Sequence, residues 1–170
     1  LRFVKGVVDS SDLPLNVSRE ILQHNRQIEI MKTSITKKVL DTLADMKSDD
    51  YDNYLKIHSE FGRILKEGVH FDFARRETIA DLLLFPSTKT EENKLTTLKE
   101  YVENMKESQE EIYYIVGTTL FEAQRSPYLE SFRKKDYEVL ILLDDIDDFI
   151  FSGFEYKGKK KPRQFLAGVL

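Results

Sequence analysis

Apolar residues recur at steps of three and four through the first half of the chain. From about residue 26 to the polar cluster KSDD they form one stripe, a spacing typical of an amphipathic helix. The stripe consists of Ile28, Met31, Ile35, Val39, Leu43 and Met46. A second helix is predicted from Tyr51 to about Lys66, ending at Gly68. A third is predicted from about Arg75 to Leu84, before Pro86.

Both ends of the chain show the pattern of buried strands. LRFVKGVV at the start carries apolar residues on both alternating faces, as a strand covered on both sides does. EIYYIVG and YEVLILL, in the last third, are short and nearly continuous apolar runs. Between these runs, Thr119 with Glu122 and Ser126 with Pro127 are signals for two helix starts. The order strand, helix, helix, strand predicts a parallel βαβ unit.

Three shorter segments complete the predicted organisation. The polar stretch STKTEENK is the best internal boundary, and Thr97 with Glu100 predicts a capping box that starts a short helix. DDIDDFIF predicts another short helix, and EYKGKKKPRQFL a turn followed by an exposed strand or tail. The fold class that these elements predict is α/β (α+β).

Composition excludes several classes of function. The 170-residue chain has a formal net charge of −4 and no cysteine, so thiolate chemistry and disulfides are impossible. The absence of cysteine fits a cytoplasmic location, which is expected. No apolar run approaches the roughly 20 residues that span a bilayer. The chain begins inside an apparent strand and without a Met, which favours a segment of a larger protein.

The acidic residues that follow the last buried run could suggest a cation site. They are Asp144, Asp145, Asp147 and Asp148. Their spacing lacks the Gly turn and the terminal Glu of a calcium loop, so we interpret them as capping and solubilising the next helix. The histidines are His24, His58 and His70. They are far apart in sequence, and no metal site is expected.

One basic cluster, KGKKKPR, raises a nucleic-acid hypothesis. Binding through Lys159, Lys160 and Lys161 would depend steeply on salt. The cluster lacks interleaved aromatic residues and follows the aspartates closely, which favours a solvated loop. No phosphate-binding glycine loop is present in the sequence, so no nucleotide pocket is predicted within the chain itself.

The phrase DLPLNVSREILQ places Arg19 and Gln23 one helical turn apart. Arginine and glutamine at this spacing are common on exposed helix faces. Spacing alone therefore favours a solvated helix start over a ligand-binding site.

Longer phrases resemble the middle segment of the ninety-kilodalton heat-shock chaperone family, above all its bacterial members. GVVDSSDLPLNVSREILQ carries the resemblance most specifically. It continues through FGRILKEGVHFDF, LKEYVENMKESQEEIYYIVG, SPYLESFRKKDYEVLILLDDID and FEYKGKK. The resemblance covers nearly the whole chain, and the final PRQFLAGVL is the least distinctive part.

The resemblance implies a fold in three parts. Residues 1–25 would be the closing strand and catalytic loop of a larger α/β sandwich, and residues 26–106 a helical connector. Residues 107–170 would form a small α/β/α sandwich with a parallel βαβ core. An ATP-binding domain would precede this region and a dimerisation domain follow it, so the first strand would find its partners mostly upstream.

The resemblance also implies a role in ATP hydrolysis. Arg19 would contact the γ-phosphate of a nucleotide held by the ATP-binding domain, Gln23 would assist, and Asn16 would help to hold the loop. A planar guanidinium suits this role because phosphoryl transfer depends mainly on charge stabilisation. ATP and Mg²⁺ would be bound mainly by that other domain. The chain alone is therefore expected neither to hydrolyse ATP nor to hold a cofactor.

A surface for client proteins is the second implication. Phe149, Ile150 and Phe151 make their helix more apolar than one buried face requires. In the family, an exposed apolar surface in this region is implicated in holding non-native chains. We expect some of the three side chains to face solvent and contact clients, although core packing is the commoner role for any one of them.

The function expected from the resemblance is that of an ATP-dependent molecular chaperone. Its partners would be its own ATP-binding and dimerisation domains, unfolded clients and the seventy-kilodalton chaperone system, with no nucleic acid and no membrane. The chain would be monomeric and the parent a homodimer. The alternative is a non-catalytic α/β module that recognises a partner helix or peptide, which the exposed charge around a compact βαβ core favours.

Overall fold

The computed structural model describes residues 2–9, 26–91, 94–151, 154–157 and 162–164. The chain divides into two compact units, Leu1–Lys56 and Ile57–Leu170. No helix within the described ranges is long and apolar enough to cross a membrane.

The first unit is helical from Arg26 onward, and its predicted opening strand is absent from the described residues. Residues 2–9 form no strand, and Val7 is 98% exposed. A strand needs a neighbouring backbone to satisfy its N–H and C=O groups. The only regular structure among the described residues of this unit is helix. Helix α1 (Arg26–Asp49) confirms the predicted helix, and of the predicted apolar stripe only Leu43 is buried.

Helix α2 (Tyr51–Phe71) crosses the boundary between the units and runs beyond its predicted end. The expectation that Gly68 terminates it is wrong. Gly68 instead allows close packing, because a Cβ there would lie 3.2 Å from Cδ1 of Ile79. Helix α3 (Arg76–Ala80) is shorter than predicted, and an irregular but buried segment, Leu82 to Phe85, follows it.

Helix α4 (Leu98–Glu103) begins with the predicted capping box. The Thr97 hydroxyl accepts a hydrogen bond from the Glu100 N–H at 3.1 Å, and the Glu100 carboxylate accepts one from the Thr97 N–H at 2.9 Å. Both backbone donors at the helix start are thereby satisfied.

The sheet contains β1 (Ile112–Val116), β2 (Leu140–Leu142) and β3 (Pro162–Gln164), in the order β2-β1-β3. Both outer strands run parallel to β1, which confirms the βαβ unit. Residues 86–88 add a short antiparallel contact to β2, where the Ile141 N–H donates to the Pro86 carbonyl at 2.8 Å.

Helices cover both faces of this sheet. Between β1 and β2 lie α5 (Leu120–Gln124), a 3-10 turn (Pro127–Leu129) and α6 (Glu130–Lys135). They pack on one face with a core of Ile115, Ala123, Leu129, Phe132, Val139 and Ile141. Helix α7 (Asp145–Phe151) lies on the other face, where the Phe151 ring contacts that of Tyr114. The chain therefore has the predicted α/β fold class.

The boundary between the two units, at residues 56 and 57, does not test the predicted three-part division. The helices of residues 26–106 fall in both units, and residues 86–88 pair with the sheet of the second. The division at residues 25 and 106 stays a prediction.

Candidate functional site

Four aromatic side chains of the second unit form an exposed cluster, which we call the aromatic surface: His70, Phe71, Phe73 and Phe149. The end of α2 supplies His70 and Phe71, the following turn supplies Phe73, and α7 supplies Phe149. The His70 ring lies 4.3 Å from the Phe149 ring and 4.9 Å from the Phe71 ring, centroid to centroid. Phe149 lies far from the other three in sequence, and the fold brings it beside them.

The aromatic surface contains large rings that are mostly exposed to solvent. Phe71 is 75% exposed, Phe73 71% and Phe149 58%. Isolated apolar residues are common on protein surfaces, whereas adjacent exposed rings are typical of interaction sites.

The three predicted client-contact residues separate on α7. Phe149 faces solvent, whereas Ile150 and Phe151 are buried. Phe151 packs against Phe85 at 5.6 Å and Tyr114 at 5.4 Å between ring centroids. Of the three, Phe149 alone is placed to contact a partner, and its role in client binding stays a prediction.

A buried ion cluster connects α7 to α2. Lys66 Nζ lies 2.7 Å from Asp147 Oδ1 and 2.6 Å from Asp144 Oδ2. Lys66 and Asp147 are buried, while Asp144 is partly exposed. Burial raises the pKa of Asp147 above its ordinary value, and the Lys66 ammonium acts in the opposite direction.

The prediction that all four aspartates form a solvated cap is wrong for Asp147. Its Oδ2 accepts a hydrogen bond from the Asp144 N–H at 3.0 Å, so it caps the helix, but its carboxylate is completely buried. Lys66 was missed by sequence reasoning. The available signal was its position among Gly62, Leu65 and Val69, on the apolar side of an amphipathic helix.

A cavity of about 240 Å³ borders the ion cluster. Its walls include His58, Arg63, Lys66, Leu84 and Asp144. The Nε2 atom of His58 accepts a hydrogen bond from the Leu84 N–H at 3.1 Å, which requires a ring that is unprotonated at this nitrogen. The cavity gives solvent a route to the Asp144 side of the cluster.

Arg76 marks the other end of the aromatic surface. Its guanidinium lies 5.9 Å from the Phe73 ring centroid and 5.8 Å from that of Phe154. Both distances allow a cation–π contact, which holds a charged group beside the exposed rings.

Several predicted residues lie outside the described ranges. They are Asn16, Arg19, Gln23, His24, Lys159, Lys160 and Lys161. In the ranges that are described, no three His, Asp or Glu side chains come together as metal ligands would.

Comparison with known proteins identifies relatives over almost the whole chain. The family model described as Hsp90 protein matches residues 1–163. The chaperone protein HtpG of Geobacter metallireducens is 58% identical over 161 residues, which are 94% of this chain and 25% of that protein. HtpG of Methylococcus capsulatus is 50% identical over 169 residues, or 98% of this chain and 26% of that protein. The chain thus spans about a quarter of the length of these relatives.

A solved structure shows a similar fold. The middle domain of a Plasmodium falciparum heat shock protein matches with a TM-score of 0.75 and 36% sequence identity. The match covers 82% of this chain and 59% of that one.

Proposed function

The chain belongs to the Hsp90 family, and from this premise we propose that it binds non-native polypeptides through the aromatic surface. The observation that carries this proposal is the exposure of Phe71, Phe73 and Phe149 around His70. A folded protein buries its large apolar side chains, whereas an unfolded chain displays them. The exposed rings of the aromatic surface are therefore complementary to the exposed apolar side chains of an unfolded chain.

The size of the surface fits weak and reversible binding. Complete burial of one Phe ring contributes about 1.5–3 kcal/mol, and association itself costs several kcal/mol. Three rings therefore hold a client segment without trapping it. Such binding suits a chaperone that must release its clients.

The test compares Phe149→Ala with Phe121→Ala. Phe121 is 62% exposed on α5, so it is a matched control outside the aromatic surface. Binding of a permanently unfolded polypeptide, such as a reduced and carboxymethylated protein, is measured by fluorescence anisotropy. We expect Phe149→Ala to weaken binding about tenfold and Phe121→Ala to leave it unchanged. Equal affinities for all three proteins would refute the proposal.

The second part of the proposed function concerns ATP hydrolysis in the parent protein. Arg19 would contact the γ-phosphate of ATP, with Gln23 assisting and Asn16 holding the loop. ATP and Mg²⁺ would be bound mainly by the parent's ATP-binding domain. Support comes from family membership and from the suitability of an arginine for stabilising phosphoryl transfer.

Arg19→Ala in the full-length parent tests this role. Loss of an arginine that stabilises the transferred phosphoryl group is expected to lower ATP turnover by about 10³-fold or more. Dimer closure is measured in parallel, because a variant that cannot close would lose turnover for another reason. Near wild-type turnover with normal closure would rule the role out.

The parent's assembly follows from the same premise. It would be a cytoplasmic homodimer that works with the seventy-kilodalton chaperone system. Cross-linking and sedimentation of the full-length parent would test the dimer, and co-purification the partnership.

A further inference from the structure

We propose that Lys66 and Asp147 are positioning residues that hold α7 in the rotation at which Phe149 joins the aromatic surface. The inference rests on the proposed function, since it assigns a cause to the geometry of the binding surface. We call the contact between these two residues the ionic pin.

Asp147 and Phe149 both contact α2, and they lie on different sides of α7. Lys66 and His70 are one helical turn apart on α2, so they share a face. Asp147 and Phe149 are two residues apart on α7, roughly 200° around its axis. Asp147 meets Lys66 at 2.7 Å, and Phe149 meets the His70 ring at 4.3 Å. A rotation of α7 about its own axis would therefore break both contacts.

Apolar packing alone specifies this rotation less sharply. Ile150 and Phe151 anchor the buried face of α7, and Phe151 contacts several rings. The hydrophobic effect that buries these side chains is not directional, so by itself it fixes the rotation of the helix less sharply. With seven residues, α7 has a short buried face. A buried ion pair requires close approach of specific atoms, and it becomes costly when either partner is lost.

The surroundings of Lys66 favour the paired geometry over any alternative. Its ammonium lies 5.4 Å from the Phe85 ring centroid and contacts only the carboxylates of Asp144 and Asp147 among the acidic groups of the described residues. A buried ammonium without these carboxylates would lose its hydration and gain no partner. The Asp147 carboxylate also accepts the Asp144 N–H, which fixes it to the first turn of its own helix.

The test uses a double variant that removes both charges, Lys66→Met with Asp147→Asn. Neither residue then leaves an unpaired buried charge, so the fold is expected to persist, as circular dichroism would show. The control is Lys89→Met with Asp136→Asn, which removes an exposed ion pair elsewhere in the same unit. Phe149→Ala is included to establish the value of each readout when the ring is absent.

Two readouts separate positioning from folding. The first is the NMR shift of the His70 ring protons, which the ring current of Phe149 displaces while the two rings are in contact. The second is the affinity for a reduced and carboxymethylated polypeptide. In the double variant we expect the His70 shift to move toward its Phe149→Ala value and the affinity to fall at least about threefold. The control pair should change neither.

The outcomes are distinguishable. If the double variant folds and keeps the wild-type His70 shift, the proposed positioning role of Lys66 and Asp147 is wrong. If Phe149→Ala leaves client affinity unchanged, the proposed function fails, while the His70 shift still decides the positioning role. If the double variant does not fold, the single variant Asp147→Asn tests the positioning role instead. This variant is expected to fold because Lys66 keeps its ion pair with Asp144. An unchanged His70 shift in that variant overturns the inference as well.

Discussion

Tyr101 shows how one residue organises the polar interior of the second unit. Its hydroxyl donates to the Glu138 carbonyl at 2.7 Å and accepts from the Tyr113 N–H at 2.9 Å and the Gln109 side-chain amide at 2.8 Å. The side chain is completely buried, and burial raises the pKa of its hydroxyl. The hydroxyl therefore satisfies two buried groups, the Glu138 carbonyl and the Gln109 amide, and the partly buried Tyr113 N–H.

Tyr101→Phe is expected to destabilise the protein by about 2–3 kcal/mol, because buried hydrogen-bonding groups would lose their partner. Tyr137→Phe is the control, since the Tyr137 hydroxyl meets Ser108 in an exposed setting and its loss should cost less than about 1 kcal/mol. Urea unfolding followed by circular dichroism measures both. Equal destabilisation by the two substitutions would contradict the role assigned to Tyr101.

Asp136 is the residue from which we predict a pH dependence. The ammonium groups of Lys106 and Lys89 lower its pKa to about 2, from an ordinary value of 3.8. Folding lowers the pKa of this carboxyl, so the carboxyl stabilises the folded state at any pH above its unfolded pKa. That contribution is lost as the pH falls from the unfolded pKa through the folded pKa. The loss should therefore occur between about pH 4 and pH 2.

Asp136→Asn removes this titration with little structural change, because both residues tolerate the left-handed backbone at φ 55°. The melting temperature of the variant should fall less than that of the wild type between pH 4 and pH 2. This difference in melting temperature between the two proteins should shrink at 1 M salt. The charges are exposed, and salt at that concentration screens charges more than about 3 Å apart. If the melting temperatures of the two proteins fell equally between pH 4 and pH 2, the ion pairs of Asp136 would contribute nothing to stability.

At the scale of elements, the contact between β1 and α5 depends on Gly117. A Cβ at this position would lie 2.8 Å from Cβ of Ala123, closer than two carbon atoms approach. The Gly117 N–H also donates to the Leu142 carbonyl at 3.0 Å, which fixes its place beside β2. Helix α5 cannot move away from Gly117 without disturbing the connection between β1 and β2.

Gly117→Ala is expected to cost about 1–3 kcal/mol through overpacking. Gly68→Ala is the comparison, because its nearest neighbour is the flexible end of Ile79 and a helix favours Ala over Gly by about 1 kcal/mol. We expect a change near zero there. Thermal unfolding of both variants would test the pair, and a larger loss for Gly68→Ala would contradict the packing described.

Elements that depend on local pattern were predictable from sequence, and those that depend on a partner were not. EIYYIVG and YEVLILL became parallel strands because a nearly continuous apolar run suits a sheet covered on both faces. LRFVKGVV has the same pattern but forms no strand in residues 2–9, where the described part of its unit offers no strand to pair with. Gly68 was misread because close packing and helix termination both favour glycine.

At the scale of the whole molecule, the candidate site depends on tertiary structure. Phe149, Ile150 and Phe151 are consecutive and similar, and only the packing of α7 separates the exposed ring from the buried side chains. Lys66 and Asp147 are 81 residues apart, so no local pattern connects them. The roles proposed for Asn16, Arg19 and Gln23 rest on family resemblance, because a contact to a phosphate held by another domain would leave no local signature in this chain.

The most direct test of the account is to map where an unfolded chain binds. The isotope-labelled protein is titrated with a reduced and carboxymethylated polypeptide, and aromatic NMR signals are followed to saturation. We predict shifts centred on His70, Phe71, Phe73 and Phe149, with Phe121 unaffected. Shifts centred on Phe121, or saturable binding that leaves the signals of the aromatic surface in place, would contradict the assignment of this surface to non-native chains.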